Sequence, residues 1–304
     1  MLSNLSFSIL ILTLFTACSG KSNYTPKGIS FEKEKKIPFI FTETKIDRVE
    51  HDVVKLSDGS IINRDGKLVS EPLEIKTILK DEVIYSQNKN LIAYVTRDNS
   101  IALFDIEQNR TIFKEKFNFI ASIDRRLPKP FFDKNSILYF TFDGKIAIYS
   151  QKDKKIVKVL SIDNSENYSN VIDYKLSKNS LILLTHKKLM LIKDNYNTQL
   201  EIDLRGAIFR KDSFFAITKK GEIREYSYDL IMKRSIKFPF AYFISFGQVK
   251  DKLYLIESQG YIIELNENLK NYRVIQSELD DENCFFTNDK FICDEKIFRL
   301  PLSI

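Results

Sequence analysis

The amino-acid sequence predicts an all-β protein, a single β-propeller of seven blades, each blade a four-stranded antiparallel sheet. Two observations lead to this fold class. One apolar motif recurs along the 304 residues: a short β-rich run, a two-residue turn, a second run, a polar break and a third run. Helical periodicity of any length is absent, which disfavours helical solenoids with a similar period.

The clearest copy of the motif spans residues 135–160, "NSILYFTFDGKIAIYSQKDKKIVKVL". Its dipeptide Asp143-Gly144 tolerates positive φ at both central positions of a type I′ turn, so we expect Phe142 to pair with Lys145. Both faces of this hairpin are apolar. A sheet that is apolar on both faces has to be covered on both sides, as a blade is by its two neighbours.

Six further copies align on their turns, the last of them truncated. They begin at Val53, Asn90, Asn179, Ser213, Lys252 and Asp289, and turns are expected at Asp58-Gly59, Asp98-Asn99, His186-Lys187, Lys220-Gly221 and Gln259-Gly260. Most successive turns are roughly 34 to 45 residues apart, which is the period of a propeller blade. A β-sandwich with an extra hairpin sheet is the alternative.

The two ends of the repeat region are expected to complete each other. The last copy lacks an outermost strand after Leu300, whereas residues 37–49, "IPFIFTETKIDRV", have strand character and no partner of their own. If this N-terminal strand completes the last blade, no sheet edge is left open. The propeller domain is therefore predicted to span residues 37–304 and to be closed by its N-terminal strand.

The chain begins with an apolar run of about a dozen residues, shorter than the roughly twenty that a membrane-spanning helix needs. A signal peptide over residues 1–17 fits better. The run ends in "FTAC", which resembles a bacterial lipobox and predicts lipidation of Cys18. Ser19 after the cysteine indicates the outer membrane, at its periplasmic face. Residues 18–36 are polar and are expected to form a flexible tether. A plain signal peptide or a short anchor helix is the alternative.

The copies resemble the quinoprotein-like propeller repeat, best in "DNSIALFDIEQNRTIF" (residues 98–113) and "DGKIAIYSQKDKKIV" (residues 143–157). A lipobox followed by such a propeller resembles the BamB family, lipoprotein subunits of the bacterial outer-membrane barrel-assembly machinery, which is described with eight blades. The resemblance implies a lipid-anchored scaffold in outer-membrane protein assembly. Its implied partners are the membrane and proteins of the cell envelope, and it implies no cofactor.

A propeller enzyme or a small-ligand-binding protein is the alternative function. Quinone-dependent enzymes with this repeat need a stacking tryptophan and calcium held by clustered carboxylates, and the sequence contains no tryptophan. Its two histidines, His51 and His186, are isolated from any motif with metal-ligand spacing, and His186 is expected at a solvated turn. No serine-hydrolase, zinc-protease or phosphate-loop motif occurs. The sequence therefore favours binding over catalysis.

The net charge of +6 is spread over all the copies. It indicates either a solvated basic surface or attraction to anionic lipid headgroups or an acidic partner, and nucleic acid is not expected as a partner of an exported chain. Arg125, Arg126 and Lys129 lie in "DRRLPKP", the long connection between the second and third copies. They are the candidate contact loop on a propeller rim, with a rigid surface connection as the alternative.

Two cysteines remain once Cys18 carries lipid. In "CFFTNDKFIC", a two-residue turn at Asn288-Asp289 places Cys284 opposite Cys293 at a non-hydrogen-bonded position of the hairpin, where side chains approach most closely. The periplasm is oxidising, so a disulfide is predicted between them. Two buried free thiols are the alternative.

Overall fold

The computed structural model describes residues 23–27, 46–50, 53–56, 61–62, 68–69, 84–118, 126–162, 169–177, 180–193, 196–277, 284–287, 290–293 and 296–300. Within these ranges every regular element is a β-strand. The strands form seven antiparallel sheets, six with four strands and one with three, and within each sheet they pair in chain order. Such a series of meanders is a β-propeller, so the predicted fold class is confirmed.

The strands are distributed as follows. Sheet 1 contains β1 (Ile46–Glu50), β2 (Val53–Leu56), β3 (Ile61–Ile62) and β4 (Leu68–Val69). Sheet 2 contains β5 (Ile84–Asn88), β6 (Leu91–Val95), β7 (Ser100–Asp105) and β8 (Arg110–Lys116). Sheet 3 contains β9 (Phe131–Asp133), β10 (Ser136–Phe140), β11 (Lys145–Ser150) and β12 (Lys155–Ser161). Sheet 4 contains β13 (Val171–Leu176), β14 (Leu181–Thr185), β15 (Lys188–Lys193) and β16 (Tyr196–Glu201). Sheet 5 contains β17 (Leu204–Phe209), β18 (Ser213–Thr218), β19 (Glu222–Ser227) and β20 (Met232–Lys237). Sheet 6 contains β21 (Phe243–Val249), β22 (Lys252–Glu257), β23 (Tyr261–Asn266) and β24 (Tyr272–Gln276). Sheet 7 contains β25 (Cys284–Thr287), β26 (Lys290–Cys293) and β27 (Lys296–Arg299).

The first strand of a sheet is the innermost and the fourth is the outermost. The first strands of neighbouring sheets, such as β17 and β21, contact each other. In sheet 5 the second strand, β18, is buried along its whole length, whereas the fourth strand, β20, is exposed at all positions except Ile236. The apolar residues therefore pack between neighbouring sheets, as the two apolar faces of each hairpin predicted.

The hairpin turn of the clearest copy has three residues, 142–144, where the sequence predicted two. Phe140 lies opposite Ile146, so the predicted pairing of Phe142 with Lys145 is wrong. Gly144 has a φ of 70° and its N–H donates to the carbonyl of Thr141 at 3.2 Å. This is a type I turn followed by a left-handed residue, the usual three-residue hairpin loop. The hydroxyl oxygen of Thr141 stabilises it by accepting from the N–H of Lys145 at 3.1 Å.

The same threonine-capped turn occurs in two other sheets. In sheet 2 the Thr96 hydroxyl oxygen accepts from the N–H of Ser100 at 3.1 Å. In sheet 5 the Thr218 hydroxyl oxygen accepts from the N–H of Glu222 at 3.0 Å. A threonine three residues before the glycine or asparagine is therefore part of the repeat, because its side chain fixes the turn that sets the register of the second and third strands.

The N-terminal strand does not pair as predicted. Residues 46–50 form β1, which pairs with β2 inside sheet 1, so the prediction that residues 37–49 complete the last blade is wrong for residues 46–49. Residues 37–45 lie outside the described residues. Glu50 faces Val53 across a two-residue connection, and closing so short a loop costs far less chain entropy than pairing with the far end of the chain. Sheet 7 has three strands among the described residues, not four.

Specific contacts join neighbouring sheets. The buried hydroxyl of Tyr139 in sheet 3 donates to the carbonyl of Ala102 in sheet 2 at 2.9 Å. Between sheets 6 and 7, Gly247 leaves room for the ring of Phe286, because a Cβ at this glycine would lie 1.7 Å from the ring. Neighbouring sheets are therefore packed so closely that changing a residue in either contact requires the surrounding side chains to rearrange.

Each sheet has two ends, which define the two faces of the propeller. We call "turn face" the end where the second strand turns into the third and where the fourth strand leads to the next sheet, as at residues 219–221 and 238–242. The opposite face carries the turns from the first strand to the second and from the third to the fourth, as at residues 228–231.

Candidate interaction surfaces

The predicted basic loop lies before β9, at the centre of the turn face. Arg125 lies outside the described residues, and Arg126 and Lys129 are half-buried. The guanidinium of Arg126 donates to the backbone carbonyl of Arg205 in sheet 5. The side-chain amide of Asn170, just before sheet 4, donates to the backbone carbonyl of Arg126. These contacts join the beginnings of the first strands of sheets 3, 4 and 5. The role of this loop in binding a partner stays a prediction.

Arg205 extends this group of contacts to sheet 6. Its Nε donates to the carbonyl of Phe243 at 2.9 Å, and its Nη1 donates to the hydroxyl of Tyr242 at 2.6 Å. The guanidinium also lies 4.4 Å from the centre of the Tyr242 ring, a cation–π distance. Arginine side chains therefore bridge the inner strands at the turn face.

A cleft of about 300 Å³ lies between sheets 4 and 5 at the turn face. Its charged lining residues are three basic and three acidic: Lys187, Lys220, Arg224, Glu201, Asp203 and Glu222. The hydrogen bond from Arg224 to Glu222 at 2.7 Å is the main reason why the pKa of Glu222 is lowered, against the opposing effect of burial. Because the two signs balance, the cleft does not select for an anion or for a cation.

The opposite face carries an exposed apolar patch at sheets 4 and 5, which we call the opposite-face patch and define as Tyr196, Ile231 and Met232. Their exposed fractions are 60%, 66% and 54%. Lys193 and Asp229 form a surface ion pair between the two sheets at 3.6 Å. It lies beside the patch, since Lys193 is opposite Tyr196 and Asp229 precedes Ile231 by two residues. Apolar groups this exposed are typical of protein-binding surfaces when they adjoin.

Sequence reasoning missed this patch, although the chain carries a signal for it. The outermost strand β20 is mostly polar and exposed, yet it opens directly after Ile231 and begins with Met232. Two adjacent apolar residues at the start of an exposed outer strand break the alternation expected there.

The N-terminal segment 23–27 lies against sheets 5 and 6 at the turn face. Tyr24 is 5% exposed, and its ring centre lies 6.4 Å from that of Phe238 and 6.0 Å from that of Tyr261, edge to face in both cases. The side-chain amide of Gln259 donates to the carbonyl of Tyr24 at 3.4 Å. Burial, with a smaller effect of neighbouring tyrosines and a glutamate, raises the pKa of Tyr24 to about 12.

The predicted flexible tether over residues 18–36 therefore does not hold for residues 23–27, because a buried aromatic side chain fixes this segment to the propeller. The other residues of the predicted tether, Cys18 among them, lie outside the described residues.

The two C-terminal cysteines lie where the hairpin register predicted. Cys284 pairs with Cys293 across β25 and β26. Cys284 is buried and is disulfide-bonded in the structure. Oxidation of this pair in the cell stays a prediction.

His186 is buried, with an exposed fraction of 3%, so the prediction of a solvated turn residue is wrong. The next sheet covers this turn, as the N–H of Leu204 donates to the His186 carbonyl at 2.9 Å. His51 lies outside the described residues. Among the residues that the structure describes, no three His, Cys, Asp or Glu side chains are grouped so as to hold a metal ion. Over the same residues, no helix has the length and apolar character needed to cross a membrane.

In sheet 5 and in sheet 6, a buried carboxylate on the third strand forms ion pairs with neighbouring strands of the same sheet. In sheet 6, Glu264 accepts hydrogen bonds from Lys252 and Arg273, each at 2.7 Å. Burial alone would raise the pKa of Glu264, but these two bonds outweigh it, so the pKa is lowered. In sheet 5, Glu225 accepts from Arg234 in the same manner, and its pKa is also lowered despite burial. These ion pairs stabilise the blades.

The comparisons with known proteins define the class as a β-propeller. BamB from Moraxella catarrhalis superposes with a TM-score of 0.58 over 84% of this chain and 83% of that one, at 12% identity. The C-terminal WD40 domain of Sif2 superposes with a TM-score of 0.56 over 87% of this chain and 84% of that one, at 11% identity. At such identities the likeness shows the fold alone. The fold nevertheless agrees with the predicted resemblance to BamB.

Two curated relatives match nearly the whole chain. They are plasminogen-binding proteins PgbB from two strains of Helicobacter pylori, each 23% identical over 295 residues, or 96% of this chain. The chain spans about half the length of these relatives, 53% and 52%. No protein-family model matches the chain.

Proposed function

We propose that this protein is a lipid-anchored β-propeller of the bacterial cell envelope that acts as a protein-interaction scaffold and not as an enzyme. Lipidated Cys18 attaches it to the periplasmic face of the outer membrane, and one partner binds the opposite-face patch. The lipobox-like "FTAC" and the following Ser19 support the anchor. The BamB-like fold supports the scaffold and a role in outer-membrane protein assembly.

The opposite-face patch is the observation that carries the scaffold proposal. Tyr196, Ile231 and Met232 are each more than half exposed and lie on adjacent sheets next to an ion pair. Covering them with a partner removes apolar surface from water, which favours association. The polar residues around them, such as Lys193 and Asp229, suit the rim of an interface.

Photo-crosslinking in intact cells tests the partner site. A photoreactive amino acid at Met232 is expected to crosslink one envelope protein. The same amino acid at Val157 is the matched control, because Val157 has a similar exposed fraction, 51% against 54%, but lies in sheet 3. The Tyr196→Asp substitution, made in the Met232-labelled chain, should abolish the product because it places a charge in the patch. Equal yields at Met232 and Val157 would contradict the proposed site.

Fractionation tests the anchor separately. The Cys18→Ala variant is expected in the soluble periplasmic fraction, whereas the unchanged chain stays with membranes after a high-salt wash. A Cys18→Ala variant that remains in the washed membranes would show that another segment holds the protein there.

The two curated relatives suggest a second candidate partner. Both are named for plasminogen binding, and the match extends over 96% of this chain. We therefore propose plasminogen as the partner to test first if no envelope protein is crosslinked. Purified protein is expected to bind immobilised plasminogen, with weaker binding for Met232→Asp and unchanged binding for Val157→Asp. Equal binding by both variants would place the plasminogen contact away from the patch.

A further inference from the structure

The docked N-terminal segment limits how far the propeller can lie from its anchor. Asn23 is the first described residue, and Tyr24 is fixed between Phe238 and Tyr261 at the turn face. Only four residues lie between Cys18 and Asn23 in the sequence, so a fully extended chain covers the five steps between their α-carbons in at most about 18 Å. The turn face at sheets 5 and 6 therefore lies near whatever holds Cys18.

The surface beside this segment has the composition of a membrane-contacting surface. Phe240 is 64% exposed. It lies two residues after Phe238, which packs against Tyr24. Lys220 and Lys237 are exposed around it, and Lys27 is exposed at the end of the docked segment. Exposed aromatic rings and lysines suit the headgroup layer, where the ring enters the interface and the ammonium groups contact anionic phosphates.

Two acidic side chains of sheets 5 and 6 are held by hydrogen bonds within the protein, whereas Glu201 and Asp203 are exposed beside Lys220 in the cleft between sheets 4 and 5. Glu222 accepts from Arg224 at 2.7 Å, and the fully buried carboxylate of Glu257 accepts from the N–H of Gln259 at 2.9 Å. Lys237 and Lys27 are exposed charges outside that cleft, and an approaching anionic surface can contact them.

We propose that the turn face of sheets 5 and 6, centred on Phe240, lies against the phospholipid headgroups. Segment 23–27 acts as a rigid latch that sets this orientation. The opposite-face patch then points away from the bilayer, towards a partner. The inference rests on the proposed lipidation of Cys18 and adds to it the surface of the propeller that touches the lipid.

A quenching experiment on the full, lipidated protein tests the orientation. Phe240→Cys and, as matched control, Ile231→Cys are labelled with a thiol-reactive fluorophore. The two positions have similar exposed fractions, 64% and 66%, but Ile231 lies at the other end of β20, about 20 Å away along the strand. Each protein is reconstituted into vesicles of phosphatidylcholine and phosphatidylglycerol that contain a lipid with a nitroxide on its headgroup.

The label at position 240 is expected to lose its fluorescence, whereas the label at position 231 keeps it. Tyr24→Ala, added to Phe240→Cys, is expected to restore fluorescence while the protein stays on the vesicles, because the latch is released but the lipid remains. Thermal unfolding checks that Tyr24→Ala leaves the propeller folded. Replacing phosphatidylglycerol by phosphatidylcholine should weaken the quenching, since the lysines lose their counter-charge.

The outcomes separate this inference from the proposed anchor. Protein that does not float with the vesicles overturns the anchor and the orientation with it. Protein that floats with equal quenching at both positions, or with stronger quenching at position 231, overturns the orientation alone. Quenching at position 240 that persists in the Tyr24→Ala variant overturns the role of the latch.

Discussion

Replacing Gly247 with alanine is expected to detach sheet 7 from sheet 6. A Cβ at this position would lie 1.7 Å from Cδ1 of Phe286, whereas carbon atoms in contact are normally about 3.5 to 4.0 Å apart. The ring of Phe286 therefore has to move by about 2 Å to restore that separation. It also packs on Phe291, with ring centres 5.0 Å apart, so the movement disturbs the core of sheet 7. Overpacking of this kind lowers the free energy of unfolding by about 1 to 3 kcal/mol.

A double-mutant cycle connects this loss to the contact itself. Phe286→Leu alone is expected to cost about 1 kcal/mol, because a smaller apolar side chain fills part of the same space. In the double variant the added methyl group meets no ring. The two losses should therefore not add, with a coupling free energy of about 0.5 to 3 kcal/mol.

Urea unfolding followed by far-ultraviolet circular dichroism measures these differences. Gly206→Ala serves as a graded control, since a Cβ there would lie 2.5 Å from Cζ at the far end of the Phe246 ring. It is expected to destabilise less than Gly247→Ala. An effect of Gly247→Ala within about 0.5 kcal/mol, the range of ordinary surface substitutions, would refute the close packing of the two sheets. Strict additivity in the double variant would refute it too.

Three further predictions concern other contacts. Tyr139→Phe is expected to lower the free energy of unfolding by about 0.5 to 1.5 kcal/mol, because it removes the buried hydrogen bond from the Tyr139 hydroxyl to the carbonyl of Ala102, which keeps its pairing with Tyr94 in sheet 2. An unchanged urea midpoint would contradict this. Because the pKa of Glu264 is lower in the folded state, its ion pairs stabilise the protein above the unfolded pKa of about 4.3, and this stability is lost as the pH falls through the folded value. The loss of stability below that pH should be smaller in Glu264→Gln than in the unchanged protein, and equal pH profiles would speak against it. In protein isolated from the periplasm, Cys284 and Cys293 should resist alkylation until a reductant is added, as read by mass spectrometry of their peptide; full alkylation without reductant would disprove the disulfide.

Part of the fold followed from the sequence because its signals are local. Repeated apolar runs on both sides of Gly and Asn turns predicted the sheets, and the pairing of Cys284 with Cys293 followed from counting outwards from a two-residue turn. In the Asp143-Gly144 hairpin the same counting failed by one residue, because the side chain of Thr141 stabilises a three-residue turn. Turn residues predict the presence of a hairpin more reliably than they predict its strand register. The reason is that glycine occurs in both two-residue and three-residue loops.

Only the tertiary structure decided which distant segments meet. Tyr24 contacts Gln259 across 235 positions in the chain, and no periodicity carries information over that distance. The pairing of β1 likewise depended on a competition between β2, its neighbour in the sequence, and the last blade at the far end of the chain. The sequence by itself determined that blades form, since each hairpin's apolar faces and turns are encoded within some forty residues. The tertiary structure also decided which surfaces remain exposed, such as the opposite-face patch and Phe240. The sheets and the N-terminal segment cover one another, and burial therefore depends on contacts between residues far apart in the chain.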